Sequence, residues 1–203
     1  MTSQESVKRI NVGTVFTIQV VLLAVALFGI NHFDLQVGVA SGPALVFVLS
    51  GLGLGTISYG VAFMIFRWAY AKSASLLEFT QRVRSTAAHL TLVAILAISA
   101  FAAIGEEMFF RGFLQKWLQQ FTFDWLAVLV AAVLFAAMHG LSLIYFSISL
   151  GMGLLLGAAF ALSESIALVI FWHFSYDVLS FLVLVRYPGL LNLSCDKENS
   201  ANS

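Results

Sequence analysis

Long apolar runs separated by short polar stretches make up most of this chain. A helix needs about 20 mostly apolar residues to cross the hydrocarbon core of a bilayer, and about six runs approach that length. They are Val12–Ile30, Pro43–Phe66, His89–Trp117, Trp125–His139, Leu141–Leu162 and Ser165–Val185. The pattern predicts an all-α, polytopic transmembrane helix bundle with about six spans, and up to about eight helices in all.

The third and fourth runs depart from a simple span. The third continues through Glu106 and Glu107 without a proline or a glycine-rich break, which favours one long tilted helix over two. The fourth is short, which is typical of a tilted or partly re-entrant segment, and it meets the fifth at His139-Gly140 with almost no loop. Small residues in spans two and five predict close helix packing: Gly51, Gly53, Gly55, Gly151, Gly153 and Gly157.

Composition supports a membrane protein and excludes one class of partner. Hydrophobic residues make up 61% of the chain and charged residues 10%, whereas an ordinary soluble domain is about 25% charged. The lipid bilayer is therefore the first expected partner. The formal net charge is zero, so no basic stripe is present to neutralise phosphates, and nucleic acid is excluded as a partner.

The basic residues outside the spans predict how the bundle is oriented. With an even number of spans they fall on one face, which is predicted to be cytoplasmic together with both termini: Lys8, Arg9, Arg67, Lys72, Arg82, Arg84, Arg186 and Lys197. The opposite face carries only Arg111 and Lys116. Residues 71–88 form a basic, partly amphipathic connector that is expected on the membrane surface. We expect a single transmembrane domain over residues 1–190 and a polar, disordered tail over 191–203.

Ionisable side chains within the apolar runs are the candidates for chemistry, because a charge in the membrane interior is costly and usually functional. Glu107 and Arg111 are four residues apart and share a helix face, so a purely structural ion pair is one interpretation. Glu106 points about 100° away from Glu107. It therefore needs another partner, or a proton, in apolar surroundings.

Two further clusters can be placed by their depth along the helices. Glu106 and His139 each lie ~24 Å from the turn at residues 121–124, at 1.5 Å per residue, so in an antiparallel hairpin they could face each other and deprotonate a water molecule. His173 and Asp177 share one face of span six. His173, however, lies only ~12 Å from the turn at residues 163–165, so span six must tilt or span five must be short for the clusters to converge.

Three spaced patterns resemble the signature motifs of the CPBP intramembrane proteases, also called the CAAX-processing endopeptidase and bacteriocin-processing, or Abi, family. They are Glu106-Glu107-x-x-x-Arg111, Phe135-x-x-x-His139 and His173-x-x-x-Asp177, all within the motif-bearing region 89–186. The resemblance implies a peptidase that cleaves a peptide or membrane-protein substrate near the membrane face.

The resemblance also implies roles for individual residues. Glu106 with His139 would activate the attacking water, His173 and Asp177 would stabilise the oxyanion, and Glu107 with Arg111 would be a supporting pair. The third motif ends in Asp where the prenyl-processing members have Asn. Because an ionised Asp is a poorer hydrogen-bond donor than Asn, Asp177 would alternatively orient His173.

A metal site and two other functions stay open from the sequence. The family has been described both as metalloproteases and as glutamate-type peptidases, and Glu106, His139 and His173 would satisfy a zinc site with an open position, although the spacing lacks H-E-x-x-H. The main alternative to a peptidase is a non-catalytic bacteriocin-immunity or scaffold protein. A proton-coupled carrier is disfavoured because the sequence has no detectable repeated halves. In every case the expected location is the bacterial inner membrane.

Overall fold

Seven helices account for most of the residues that the structure describes. The computed structural model describes residues 11–38, 42–70, 74–139 and 143–191. The helices are α1 (Val12–His32), α2 (Ala44–Tyr70), α3 (Ala74–Ala87), α4 (Leu92–Gln119), α5 (Asp124–Met138), α6 (Leu143–Ser163) and α7 (Ile166–Arg186). A 3-10 turn, Pro188–Leu191, follows α7. These residues contain no strand, and the predicted all-α bundle is confirmed.

Five helices are long and apolar enough to cross a membrane: α1, α2, α4, α6 and α7. The sixth apolar helix is α5, which has 15 residues, as expected for the short fourth run. Each of these six helices begins and ends within a few residues of its predicted run. The count of six spans and the cytoplasmic location of both termini stay predictions, and Lys8, Arg9, Lys72 and Lys197 lie outside the described residues.

Side-chain caps explain where three of the helices begin. In each case a polar side chain accepts a hydrogen bond from the backbone N–H three residues further on, which bonds one of the N–H groups left free at a helix start. The caps are Asn11 for α1, Thr91 for α4 and Ser165 for α7. The tight turn between α6 and α7 places Glu164 at φ 52°, and the hydroxyl of Ser163 accepts from the backbone N–H of Ser165.

Helix α4 is continuous, as predicted, but its geometry changes along its length. Residues Leu92–Glu107 are α-helical, and Met108–Gln115 form a π-helix. A π-helix carries i→i+5 hydrogen bonds and is frequently found at functional sites. The π-helical segment starts directly after Glu106 and Glu107, and nothing in the sequence pattern predicted it.

Helix α4 lies in the middle of the bundle and contacts α1, α5 and α7, while α2 packs against α7 and α5 packs against α6. Of its most apolar stretch, 44% is buried inside the protein, against 11% for α2. Five polar side chains of α4 are buried inside the protein: Ser99, Glu106, Glu107, Arg111 and Gln115. This central position is what allows α4 to meet groups from both halves of the chain.

Glycines permit the closest helix contacts at four of the six predicted positions. A Cβ at Gly51 or Gly55 would collide with the backbone of α7, and one at Gly153 would lie 3.1 Å from Ala132 on α5. Gly157 faces the side chains of Val128 and Gln115 at 3.0 and 3.1 Å. The prediction is wrong for Gly53 and Gly151, which have nothing within 4 Å, because both lie on helix faces turned away from neighbouring helices.

The connector between α2 and α4 forms the amphipathic helix α3. Leu76 and Thr80 are buried, whereas Glu78 and Arg82 form an ion pair on the exposed face. Its expected position on a membrane surface stays a prediction. At the other end of the chain Leu191 is buried, and residues 192–203 of the expected tail lie outside the described residues.

Candidate active site

Three helices bring the predicted acid and the two imidazoles together. Glu106 lies in α4, His139 directly follows α5, and His173 lies in the middle of α7. The Nε2 atoms of His139 and His173 are 3.8 and 4.0 Å from one oxygen, Glu106 Oε2. The expected difference in depth between His173 and Glu106 therefore does not separate them. We call Glu106, His139 and His173 the histidine side of the site.

The two carboxylate oxygens of Glu106 have different surroundings. Oε1 accepts a hydrogen bond of 2.8 Å from the side-chain amide of Gln19 on α1. Oε2 is buried, faces the two histidines, and makes no hydrogen bond with any described residue. One oxygen is thus held in place, while the other keeps its lone pairs available toward the imidazoles.

The tautomer of His139 follows from its backbone contact. Its Nδ1 lies 2.8 Å from the carbonyl oxygen of Phe135, and since a carbonyl can only accept, Nδ1 carries the proton and donates. In the neutral ring, Nε2 is then an acceptor that faces Glu106. The ring also packs against the Phe135 ring, with centroids 4.6 Å apart. Phe135 therefore orients the imidazole through both its carbonyl and its side chain.

Glu107 and Arg111 form the ion-pair side of the site. Glu107 Oε1 accepts from Arg111 Nη1 at 2.8 Å, and the two side chains are 0% and 1% exposed. The same oxygen accepts from Nδ1 of His173 at 2.8 Å. Arg111 Nη2 donates to the carbonyl of Gly153 on α6 at 3.0 Å, and its guanidinium lies 4.8 Å from the Phe135 ring centroid. The pair therefore neutralises a buried charge and also fixes the orientation of His173.

His173 has a carboxylate opposite each ring nitrogen. Nδ1 faces Glu107, and Nε2 lies 3.4 Å from Asp177 Oδ2, one helical turn further along α7. Asp177 is partly exposed, whereas His173 is buried. Because carboxylates accept hydrogen bonds when ionised, these contacts favour N–H donors on the His173 ring. Asp177 is positioned to orient the ring from the side opposite Glu107.

A cavity of about 210 Å³ adjoins these residues. His139, His173 and Asp177 lie along its wall, and the rest of the lining is mostly apolar or aromatic. Helices α2, α3, α6 and α7 contribute most of these side chains, among them Tyr59, Phe63, Phe79, Tyr145, Met152 and Tyr176. The cavity can therefore admit an apolar segment of chain beside the ionisable groups.

The zinc site that the sequence left open finds no support in the geometry. Across the described ranges, no group of three or more His, Cys, Asp or Glu side chains is arranged to hold a metal ion. The two Nε2 atoms also lie 3.4 to 4.0 Å from carboxylate oxygens that they face. That spacing suits direct or water-bridged hydrogen bonds.

Two buried amides were not predicted from the sequence, and one of them, Gln19, belongs to this site. Gln19 bonds Glu106, and Gln115, which is fully buried, donates to the carbonyl of Gly157 at 3.0 Å. The usable signal was an isolated amide within an apolar run, since a buried polar group needs a partner. Gln19 stands alone between Ile18 and Val20. All three motifs lie in the C-terminal half of the chain, whereas Gln19 on α1 contributes a hydrogen bond to the site from the N-terminal half.

Comparison with known families supports the resemblance that the motifs suggest. Residues 88–179 match the Rce1-like family, described as type II CAAX prenyl endopeptidases, and the predicted family relationship is confirmed for this stretch. In general terms the match supports a CAAX-type intramembrane endopeptidase, and together with the apolar helices a multi-pass integral membrane protein. The matched residues run from just before α4 into α7, so α1, α2 and Gln19 lie outside them. No curated protein and no solved structure matches the chain.

Proposed function

We propose that the protein is an intramembrane endopeptidase in which Glu106 and His139 activate the water that attacks the scissile peptide bond. The observation that carries this proposal is the pair of facing acceptors, Glu106 Oε2 and His139 Nε2, which are 3.8 Å apart. A water molecule can bridge two polar atoms at such a separation. It would donate one hydrogen bond to each acceptor and direct its oxygen lone pairs away from both.

The reaction follows from this arrangement. Glu106 accepts a proton from the water as the oxygen bonds to the carbonyl carbon, and the carbonyl oxygen takes the negative charge. The carbon–nitrogen bond then breaks, and the leaving amine takes the proton from Glu106. Positioned general bases typically contribute about 10²- to 10⁴-fold to such rates. The products are two shorter chains, one with a new carboxyl group and one with a new amino group.

His173 and Asp177 stabilise the oxyanion in this proposal. His173 is held by Glu107 on one side, with Nε2 4.0 Å from Glu106 Oε2 and along the wall of the cavity. A fixed N–H donor aimed at the developing charge is commonly the largest single contribution to catalysis. Asp177, an acceptor 3.4 Å from Nε2, orients this ring.

The substrate in this proposal is a peptide or a membrane protein. The apolar and aromatic lining of the cavity suits an apolar segment that leaves the bilayer and enters beside His139. The predicted cytoplasmic face carries most of the basic residues outside the spans. We therefore infer cleavage near that face, in the bacterial inner membrane.

The test is cleavage by the purified protein in detergent. A pool of fluorogenic peptides with apolar residues around the scissile bond is incubated with wild type, Glu106→Gln and Glu78→Gln. Glu78 is an exposed carboxylate on α3 paired with Arg82, so its variant controls for loss of charge. We expect Glu106→Gln to lose about 10²- to 10⁴-fold in rate and Glu78→Gln to match wild type.

Two outcomes count against the proposal. Equal rates for wild type and Glu106→Gln would remove this carboxylate from the mechanism. If no peptide is cleaved, and cells carrying Glu106→Gln keep the protein's biological effect in full, the non-catalytic immunity or scaffold alternative is favoured instead.

A further inference from the structure

Gln19 is a buried polar side chain outside the three motifs, and it contacts the proposed general base. It lies near the middle of α1 within an otherwise apolar run, and it is 6% exposed. Helix α1 packs against α4 along the stretch that contains Glu106. An amide in such a position is costly unless it is hydrogen-bonded. Its one strong contact among the described residues is therefore informative.

That contact is made to the oxygen of Glu106 that faces away from the histidines. Gln19 Nε2 donates to Glu106 Oε1 at 2.8 Å, while Oε2 faces His139 and His173. The last torsion of a glutamate side chain is broad and nearly two-fold, so an unbonded carboxylate would sample many rotations. A donor fixed on one oxygen selects the rotation that directs the other toward the imidazoles.

Gly105, next to Glu106, provides a second and independent observation. A Cβ at Gly105 would lie 2.6 Å from Gln19 Oε1 and 2.9 Å from the Gln19 backbone oxygen. Both distances are shorter than a Cβ normally tolerates, so any larger residue would push α1 or the amide away. The missing side chain lets Gln19 approach α4 closely enough to bond its neighbour.

We propose that Gln19 is a positioning residue, which holds Glu106 so that Oε2 alone faces the reacting water. This inference rests on the proposed peptidase function. Gln19 does not touch the substrate: it acts only through Glu106. Loss of the amide should therefore slow the chemical step without weakening substrate binding.

The test compares Gln19→Met with Gln115→Met. Both remove a buried amide that donates one hydrogen bond, but Gln115 donates to a backbone carbonyl of α6 rather than to Glu106. For Gln19→Met we expect kcat to fall about 10- to 100-fold, the range expected when a reacting group is misplaced by about 1 Å, with KM within about twofold of wild type. For Gln115→Met we expect kcat within about threefold of wild type, whatever its effect on stability.

Gly105→Ala is the second variant, in case Gln19→Met does not fold. It keeps the amide but displaces it, so kcat should again fall while KM is kept. An infrared measurement adds a readout that needs no substrate: the carboxyl band that disappears in Glu106→Gln should shift in Gln19→Met and stay unshifted in Gln115→Met.

The outcomes separate this inference from the proposed function. If wild type cleaves the peptides and Gln19→Met keeps both its kcat and the Glu106 band, the positioning role is overturned and the peptidase function stands. If kcat falls equally in Gln19→Met and Gln115→Met, the effect is structural and the inference is also overturned. If wild type cleaves nothing, the proposed function fails, and the positioning role fails with it.

Discussion

Two adjacent carboxylates on α4 have opposite surroundings, although they differ by one position in the chain. Glu107, on the ion-pair side, directs Oε1 at both Arg111 and His173, each at 2.8 Å. Glu106, on the histidine side, has Oε1 bonded to Gln19 and Oε2 without a hydrogen bond among the described residues. A rotation of about 100° between consecutive helical residues is enough to turn Glu107 toward Arg111 and α7, and Glu106 toward α1 and the end of α5.

The difference indicates a division between stability and reactivity. A buried carboxylate that is paired with a cation contributes to a fixed geometry. A general base needs a free lone pair within reach of the proton that it removes. The ion-pair side meets the first requirement, because Arg111 lies 2.8 Å from Glu107 Oε1, although Glu107 Oε2 makes no hydrogen bond among the described residues. The histidine side meets the second requirement, because Glu106 Oε2 faces the Nε2 atoms of His139 and His173. His173 belongs to both, because Glu107 holds its Nδ1 while its Nε2 faces Glu106 and Asp177.

The largest effect should come from breaking the ion-pair side. Arg111→Met keeps an elongated apolar side chain but leaves the carboxylate of Glu107 buried without its cation. Removing one partner of a buried ion pair typically costs about 3–5 kcal/mol. Thermal unfolding in detergent should therefore show a large loss of stability or a failure to fold.

Arg82→Met is the matched control for Arg111→Met. Arg82 also pairs with a glutamate four residues earlier, at 3.0 Å, but both side chains are more than two-thirds exposed. Such pairs are worth about 0.2–1 kcal/mol. If the two variants lose similar stability, burial is not what distinguishes the ion-pair side.

The next largest effect tests the histidine side. His139→Gln removes the imidazole that faces Glu106, and kcat should fall about 100-fold, which corresponds to about 2.7 kcal/mol in the barrier. Stability should change little, because the His139 side chain is 23% exposed and its Nδ1 bonds the backbone of its own helix turn. Rates and unfolding midpoints measured on the same preparation check both expectations. A variant as active as wild type would take His139 out of the mechanism.

Close packing of α2 against α7 supports the segment of α7 that carries His173. Gly55 on α2 faces α7, and a Cβ there would collide with the Trp172 carbonyl and the Ser175 side chain. Gly55→Ala should cost about 1–3 kcal/mol through overpacking, and it should also lower kcat because His173 lies next to Trp172. The midpoint of thermal unfolding and the cleavage rate measure the two effects.

Gly53→Ala gives the control for Gly55→Ala. It makes the same substitution two residues away on the same helix, where nothing lies within 4 Å. Alanine is the better helix former by up to about 1 kcal/mol, so this variant should equal wild type or exceed it in stability. Equal losses in both variants would mean that backbone effects, rather than the contact with α7, determine the result.

Hydrophobic patterning was sufficient to predict the helices and much of the site. Each apolar run became a helix close to its predicted limits, because a span needs a minimum length of apolar residues and the capping residues Asn11, Thr91 and Ser165 mark three of the starts. The pairs Glu107–Arg111 and His173–Asp177 were predictable since residues four apart on a helix are neighbours. The approach of Glu106 to His139 was also predictable, because both residues lie at similar distances along their helices from the turn at residues 121–124.

Contacts between residues far apart in the chain could not be predicted from hydrophobic patterning or helical spacing. The bond from Gln19 to Glu106 joins residues 87 positions apart, and no periodicity relates them. The bond from His173 to Glu107 depends on the rotation of α7 about its axis, which small residues such as Gly55 set through packing rather than through any local pattern. The π-helical segment after Glu107 likewise has no signal in the sequence pattern. Arg111 and Gln115 reach the carbonyls of Gly153 and Gly157 from this segment.

The smallest effect should come from Asp177→Asn, and it tests which role Asp177 has. Asn has nearly the same shape and can still accept from His173 Nε2 through its carbonyl oxygen, but it carries no charge and adds an N–H donor. If Asp177 orients His173, as its 3.4 Å contact suggests, kcat should fall by less than about tenfold, or 1.4 kcal/mol. A variant faster than wild type would instead favour a direct donor to the oxyanion at this position.

Asp177→Leu separates the two roles further, because leucine can neither accept a hydrogen bond from His173 nor donate one to the oxyanion. It should therefore lose more activity than Asp177→Asn under either role. If Leu and Asn are equally active, the side chain at this position takes no part in the reaction, and the ion-pair side alone orients His173.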